Sequence, residues 1–363
     1  MGSGGTSAIR ARPLPCRFRA FPAFSRGFVR PMKTKHDELE PLEPNRAQEL
    51  YLKQKETEAS KKTVQSHRYR LNAFVRWCEE NDIENLNELT GRSLQEYRIW
   101  RQDDADLKKI TLNQQMSTIR VFIKWCGSME AVPADLHEKV MIPRVSPEEE
   151  RSDEMLEAET AEAIREHLLR YHYASIEHAV FVLLWETGMR LGGACSLDVD
   201  DFDAANERLE LVHRPDTGTE LKNGGAGERP VAVTEGLAET LQEYIENKRK
   251  DVTDEYDREP LFTSTYGRMS RNQIRRVAYK VTSPCFRNEP CPGCKDAPGK
   301  KCPEAVSPHP IRRGSITHFL TKDIPAEVVG DRMNVSRDVL DKHYDRRSED
   351  VKLEQRRRYL DNI

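Results

Sequence analysis

Apolar residues recur at helical spacing in four successive segments between about residues 44 and 130, and this repetition constrains the fold most strongly. The segments span residues 44–58, 62–81, 93–103 and 111–127. Asn45 and Thr90 are suitable caps for the first and third of them. Core positions predicted from the spacing include Tyr69, Leu71, Phe74, Cys78, Leu94, Tyr97, Met116, Ile119, Phe122 and Ile123. The pattern predicts a compact all-helical domain of roughly 90 residues.

A stretch rich in proline and charge, residues 143–156, ends this pattern and is typical of an interdomain linker. Beyond it, two short apolar segments at 209–212 and 230–233 surround a turn with Gly224 and Gly225, which predicts paired strands. Helices are predicted at 159–170, 176–187, 235–250, 270–282, 310–321, 325–332 and 336–343. The fold class is therefore mainly α, with one small antiparallel sheet in the second half.

Charge is distributed unevenly along the chain. Residues 1–36 carry eight Lys or Arg and no acidic residue, and the remainder has 50 basic against 61 acidic side chains, a net charge of −11. We expect the basic segment to be disordered; a transit peptide, or a start codon assigned upstream of Met32, would also explain its composition. An acidic exterior is unusual for a protein that binds nucleic acid, but a local basic cleft can coexist with it.

Four residues in the second half form a set suited to attacking a phosphodiester. Arg190 follows a Thr-Gly turn, His309 and Arg312 lie three residues apart on one face of a predicted helix, and Tyr344 comes 32 residues after Arg312. One guanidinium group can bind two oxygens of the same phosphate, and a phenol can serve as a covalent nucleophile. Taken singly, each has an ordinary explanation as a surface arginine, a chance His-x-x-Arg pair or a core tyrosine.

The order and spacing of these residues resemble the tyrosine recombinase, or phage integrase, family, here of the archaeal site-specific integrase type. Two boxes carry the resemblance, one around Arg190 and one running from His309 to His318. The chain departs from the family where Gly193 replaces a glutamate that pairs with the first arginine, and where Arg313 replaces a common histidine. An acid close to Gly193 would be needed instead, and the candidates are Asp198, Asp200 and Asp201.

The resemblance implies roles for the site. Tyr344 would be the nucleophile, with Tyr359 as its rival, and Lys222 on the predicted hairpin would protonate the leaving 5′-oxygen. Asn334 stands where relatives have histidine or tryptophan, and it keeps a hydrogen-bond donor without a transferable proton. The reaction would use no metal and no nucleotide cofactor. The competing hypotheses are a DNA-binding protein that has lost this chemistry and a type IB topoisomerase.

The resemblance also implies an organisation and partners. A SAM-like core-binding domain would precede an α+β catalytic domain, and both would bind double-stranded DNA as a homo-tetramer. Separately, the sequence shows no secretory signal and no apolar run near the roughly 20 residues of a membrane helix, so we expect a cytoplasmic protein that does not span a membrane. The implied divisions are an extension at 1–43, the core-binding domain at 44–142, a linker at 143–156, the catalytic domain at 157–346 and a tail helix at 347–363. Candidate DNA contacts, equally explicable as a solvated helix face, are Lys61, Lys62, Arg68, Arg120 and Lys124.

Four of the eight cysteines fall within a Cys-rich insertion, residues 285–302: Cys285, Cys291, Cys294 and Cys302. The central pair forms a Cys-x-x-Cys turn, as in structural zinc sites, although the outer spacings are not those of a standard second pair. The alternative is a reduced loop with two incidental thiols. Cys78, Cys126 and Cys195 lie on apolar faces and are predicted to be core residues.

Overall fold

A computed structural model describes residues 1, 39–146, 149, 154–295 and 302–360 of the chain. The predictions for residues 2–38 lie outside this range. The described chain divides into two units, residues 1–150 and 151–363, each with its own apolar core. The predicted fold class is confirmed: the chain is mainly helical, with a helical first unit and a second unit that adds short antiparallel strands.

Unit 1 consists of four main helices: α1 (Pro44–Glu58), α2 (Lys61–Glu80), α3 (Gly91–Ala105) and α4 (Lys109–Ser128). The predicted cap at Thr90 is confirmed, since its hydroxyl accepts from the Ser93 amide at 3.2 Å. The cap predicted at Asn45 is wrong. Helix α1 begins at Pro44, which needs no amide partner in the first turn, and the Asn45 side chain donates to Glu79 instead.

Aromatic side chains fill the core of unit 1. Phe122 meets Tyr51 and Phe74 edge-on, with ring centroids 5.3 and 6.0 Å apart, an arrangement that aromatic quadrupoles favour. Of the ten core positions named above, nine are buried and Tyr69 is 69% exposed; Trp100, at the same spacing as Leu94 and Tyr97, is only partly buried. At about 100° per residue Tyr69 lies about 140° from Val64 and about 160° from Leu71, so it is on the solvent face of α2, opposite the apolar stripe.

Unit 2 is built around α6 (Ile176–Thr187), whose side chains are apolar on nearly every face and almost all buried. The other helices are α5 (Ala158–Tyr171), α7 (Leu191–Ser196), α8 (Glu235–Asn247), α9 (Arg271–Thr282), α10 (Pro292–Lys295), α11 (Pro308–Thr321), α12 (Ala326–Met333), α13 (Arg337–His343) and α14 (Glu349–Leu360). Helices α5, α8, α9 and α11 pack against α6. Helix α11 begins two residues earlier than predicted, because prolines fit a first helical turn.

The predicted strand pair is confirmed, but the single sheet is not. Strands β1 (Phe202–Asp203), β2 (Arg208–Leu211) and β3 (Arg229–Ala232) form an antiparallel sheet in which Leu209 faces Val231. Within the described residues, β4 (Thr263–Ser264) and β5 (Gly267–Arg268) add a separate hairpin. Across the same residues, no helix combines the length and the apolar character needed to cross a membrane.

Candidate active site

Arg190 lies at the junction of α6 and α7. Gly188 ends α6 with a φ of +54°, and a Cβ there would lie 2.6 Å from the sulfur of Met333, so both the backbone and the packing favour glycine. Two residues later, Arg190 caps α7 with extended backbone and a half-buried side chain. Its Nη1 donates to the Asn334 carbonyl at 3.0 Å. The turn thus fixes the guanidinium against the end of α12.

Arg312, on α11, is among the most deeply buried side chains, with 2% of its surface exposed. One terminal nitrogen donates to the Gly188 carbonyl and the other to the Met333 carbonyl at 2.9 Å. Both carbonyls lie at helix C-termini, where a cation is favoured. Burial nevertheless lowers the pKa of Arg312, because desolvation disfavours its charged form.

Tyr344 directly follows α13 and is 5% exposed. Its carbonyl accepts from the Thr317 hydroxyl at 2.8 Å, which ties it to α11. The centre of its ring lies 5.4 Å from Arg312 Cζ and 5.7 Å from the centre of the His309 ring. The phenol, the imidazole and the guanidinium are therefore neighbours in one chain. The side chain of the rival, Tyr359, lies outside the described part of the chain.

His309 is the second residue of α11 and keeps an exposed edge. Desolvation, followed by the charges of Arg313, Arg312, Lys222 and Arg190, lowers the pKa of His309 to about 4. The imidazole is therefore neutral at pH 7 when no anion is bound. A bound anion would offset the same cations and raise this pKa.

The segment that carries Lys222 contacts Asn334 through Asn223 at the edge of the site. Lys222 is exposed on the segment between β2 and β3, and its charge acts on His309. The neighbouring Asn223 donates to the Asn334 side-chain oxygen at 2.9 Å. Asn334 itself adopts left-handed backbone (φ +51°) at the end of α12, a conformation that asparagine tolerates better than most residues. Asn334 therefore connects the segment that carries Lys222 to the C-terminal end of α12, whose carbonyls accept hydrogen bonds from Arg190 and Arg312.

The acids expected to replace the family glutamate do not contact Arg190. Asp198 pairs with Arg258 and Arg268, and Asp201 pairs with Arg214 at 2.9 Å. Asp200 is exposed. Gly193 is buried, and a Cβ there would meet Leu211 at an ordinary 3.5 Å. Arg190 is oriented by a backbone carbonyl instead.

Arg229, at the start of β3, is a cation of the site that the sequence reasoning missed. Desolvation, followed by the charges of Arg312, Arg190 and Arg332, lowers the pKa of Arg229 to about 10. Its Nε donates to the Arg332 carbonyl at 2.8 Å, which joins β3 to α12. Strand alternation gave a signal, because Arg229 shares the inward face of β3 with buried Val231.

The basic residues predicted to contact DNA lie on α2 and α4 of unit 1. Lys61, Lys62, Arg68 and Lys124 are exposed, and Arg68 lies 3.7 Å from the Glu56 carboxylate. Arg120 is half-buried and donates to the Val140 carbonyl, so one of its nitrogens is already used in a hydrogen bond within unit 1.

The four cysteines of the insertion converge. The sulfurs of Cys285, Cys291, Cys294 and Cys302 all lie within 4.8 Å of one another, so that this cluster has the ligands to hold a metal ion. Of the other thiols, Cys78 and Cys126 are buried as predicted, whereas Cys195 is only partly so.

Comparison with known proteins gives consistent matches. The family model described as Phage integrase family matches residues 154–349, and that of the phage integrase N-terminal SAM-like domain matches residues 49–128. Tyrosine recombinase XerC of Corynebacterium glutamicum is 24% identical over 270 residues, 71% of this chain and 72% of that protein. The Tn1549 transposon integrase, solved with a circular intermediate DNA, has a TM-score of 0.61 at 15% identity, covering 86% and 99% of the two chains. A lambda integrase dimer bound to a COC′ core site has a TM-score of 0.58 at 15% identity, covering 83% and 97%.

Proposed function

Because the chain belongs to the phage integrase family and is thus a tyrosine recombinase, we propose that Tyr344 cuts a DNA strand within this pocket. The observation that carries the proposal is the approach of the Tyr344 ring to Arg312 and His309, within 5.4 and 5.7 Å. A nucleophile, a phosphate-binding cation and a proton acceptor thereby share one pocket.

The proposed cleavage forms one bond and breaks another. Arg190, Arg312 and His309 bind the scissile phosphate while the Tyr344 oxygen attacks phosphorus. A 3′-phosphotyrosine bond forms and the bond to the 5′-oxygen breaks, with Lys222 donating the proton that this oxygen needs. Re-ligation is the reverse, in which a 5′-hydroxyl from another strand displaces the tyrosine.

His309 would accept the proton of Tyr344. Its depressed pKa, about 4, keeps the imidazole unprotonated until DNA arrives. The negative phosphate then offsets the neighbouring guanidinium charges and raises the pKa, which improves His309 as a base when the substrate is bound. Asn334 has the smaller role of keeping the lysine segment and Arg190 in register through its side chain and its carbonyl.

Fixed arginine charge would take the place that a metal ion has in other phosphoryl-transfer enzymes, so catalysis needs no cofactor. Arg229 would add to the positive potential that attracts the phosphate. A structural metal in the cysteine cluster would not take part in catalysis, since none of the four cysteines is among the proposed catalytic residues.

The proposed partner is double-stranded DNA, in keeping with the DNA complexes of the integrases that share the fold. Exposed Lys61, Lys62, Arg68 and Lys124 of unit 1 would contact the backbone, with Arg120 in a supporting position. A homo-tetramer would synapse two duplexes. A lapsed DNA-binding protein is less favoured, because the chemically active residues converge, and a topoisomerase would need neither a specific site nor a second duplex.

Cleavage of a nicked suicide duplex by Tyr344→Phe, Tyr359→Phe and the unaltered protein tests the proposal. The unaltered protein and Tyr359→Phe should form a covalent adduct that resists denaturation, whereas Tyr344→Phe should bind DNA without forming one. The phenylalanine variant keeps the ring beside Arg312, so a folding defect would not explain the loss. An adduct with Tyr344→Phe would refute the assignment.

A further inference from the structure

The cysteine cluster has the geometry of a single-ion site. All four sulfurs lie within 4.8 Å of one another, and those of Cys291 and Cys302 lie 3.5 Å apart. Four thiolates around one zinc ion at about 2.3 Å would be separated by about 3.8 Å, so only a small contraction is required. A tetrahedral set of four sulfurs is characteristic of zinc, or of iron in sulfur-rich sites.

The backbone of the insertion presents the cysteines on turns. Cys285 lies in a 3-10 turn, Pro284–Arg287, directly after α9, and Cys291 and Cys294 are joined by a turn in which the Cys294 amide donates to the Cys291 carbonyl. Gly293 lies so close to Pro303 that a side chain could not fit. The Cys-x-x-Cys turn therefore packs directly on the segment that carries Cys302.

The two ends of the insertion meet beside the active-site helix. The Val306 amide donates to the Thr282 hydroxyl at 3.0 Å, and this hydroxyl also lies 3.2 Å from the Val306 carbonyl. Cys285 comes three residues after Thr282, and Cys302 comes four residues before Val306. A metal joining these cysteines would close the insertion at its base, just before α11 begins with His309 in its first turn.

We propose that Cys285, Cys291, Cys294 and Cys302 bind one zinc ion that holds the entry to α11 in place. The insertion contributes few apolar side chains of its own, chiefly Phe286, which stacks on His172 with ring centroids 4.8 Å apart. So small a core needs an additional cross-link, and a structural zinc supplies one. The ion takes no part in phosphoryl transfer. Its presence is independent of the proposed catalytic roles.

Elemental analysis of the full chain, purified without chelators, tests the site directly. The unaltered protein should contain about one zinc per chain. Cys285→Ser and Cys294→Ser should lose it, whereas Cys195→Ala, which removes a thiol outside the cluster, should retain it. Absence of metal, iron in place of zinc, equal zinc in all variants, or disulfides found among these cysteines in freshly purified protein would each overturn the proposal.

A second measurement guards against variants that fail to fold. After a thiol-reactive mercurial has displaced zinc from the unaltered protein and excess thiol has removed the mercurial from the cysteines, Co²⁺ should bind and give the intense visible absorption of a tetrahedral cobalt thiolate. The stripped protein should melt at least about 5 °C lower and recover on addition of zinc. A cobalt spectrum without thiolate bands, or melting that ignores zinc, would contradict the site.

Discussion

Replacement of Arg312 by lysine separates the geometry of this side chain from its charge. The arginine is 2% exposed and binds the Gly188 and Met333 carbonyls with two different nitrogens. A lysine keeps the charge, but its three N–H donors share one nitrogen on a shorter reach, so we expect it to bind only one of the two carbonyls. Losing one hydrogen bond from a charged donor and leaving one buried carbonyl unpaired should cost about 2 to 4 kcal/mol of unfolding free energy.

For a unit of this size the loss corresponds to a melting temperature lower by roughly 6 to 12 °C, measurable by scanning calorimetry. Cleavage of the suicide duplex should fall as well, because the planar guanidinium proposed to bind the phosphate is replaced by an ammonium group that does not reproduce its geometry. Arg337→Lys is the matched control, since this exposed arginine on α13 makes only surface ion pairs with Glu327 and Asp341. An Arg312→Lys protein that melts and cleaves like the control would refute the reasoning.

Three further predictions concern other parts of unit 2. Lys222→Ala should slow cleavage by about a hundredfold or more, and a substrate with sulfur at the 5′-bridging position should restore the rate, because a thiolate leaves without a proton; no rescue would remove the general-acid role. His178 is buried with its pKa lowered to about 4, so the folded state binds fewer protons than the unfolded state and stability should fall by up to about 3 kcal/mol as the pH drops from about 6.5 to 4; denaturant unfolding should show a flatter pH dependence for His178→Gln. Asp198→Asn should cost roughly 3 to 5 kcal/mol in chemical denaturation, because Arg258 and Arg268 lose a buried counter-charge; a neutral result would show that the network is not coupled to folding.

Local pattern predicted much of the fold. The helix predicted at 176–187 is observed over those residues, and the strand segments pair in the expected antiparallel sense. Such elements depend on apolar periodicity and caps within a few neighbours. The end of α8 at Asn247 rather than residue 250 marks where periodicity carries little information, because helix ends depend on local capping.

Pairings between distant segments were not predictable in the same way. Asp198 could be proposed as the partner of Arg190, but its actual partners, Arg258 and Arg268, lie 60 and 70 residues away in the sequence. Arg229 joins the active-site charges because β3 runs beside the end of α12. Charged side chains pair with whichever opposite charges the tertiary fold brings close, and these pairings cannot be deduced from the spacing of residues in a single sequence.

The attachment of Tyr344 to its own α11 through Thr317 has a consequence for mixed assemblies. When the phenol and the guanidinium of one active site belong to the same polypeptide, a subunit that lacks the phenol and a subunit that lacks the guanidinium cannot together form a complete site. A preparation combining Tyr344→Phe with Arg190→Ala should stay as inactive as either protein alone, whereas an enzyme that lends its tyrosine to a neighbour would regain a share of its activity on blending.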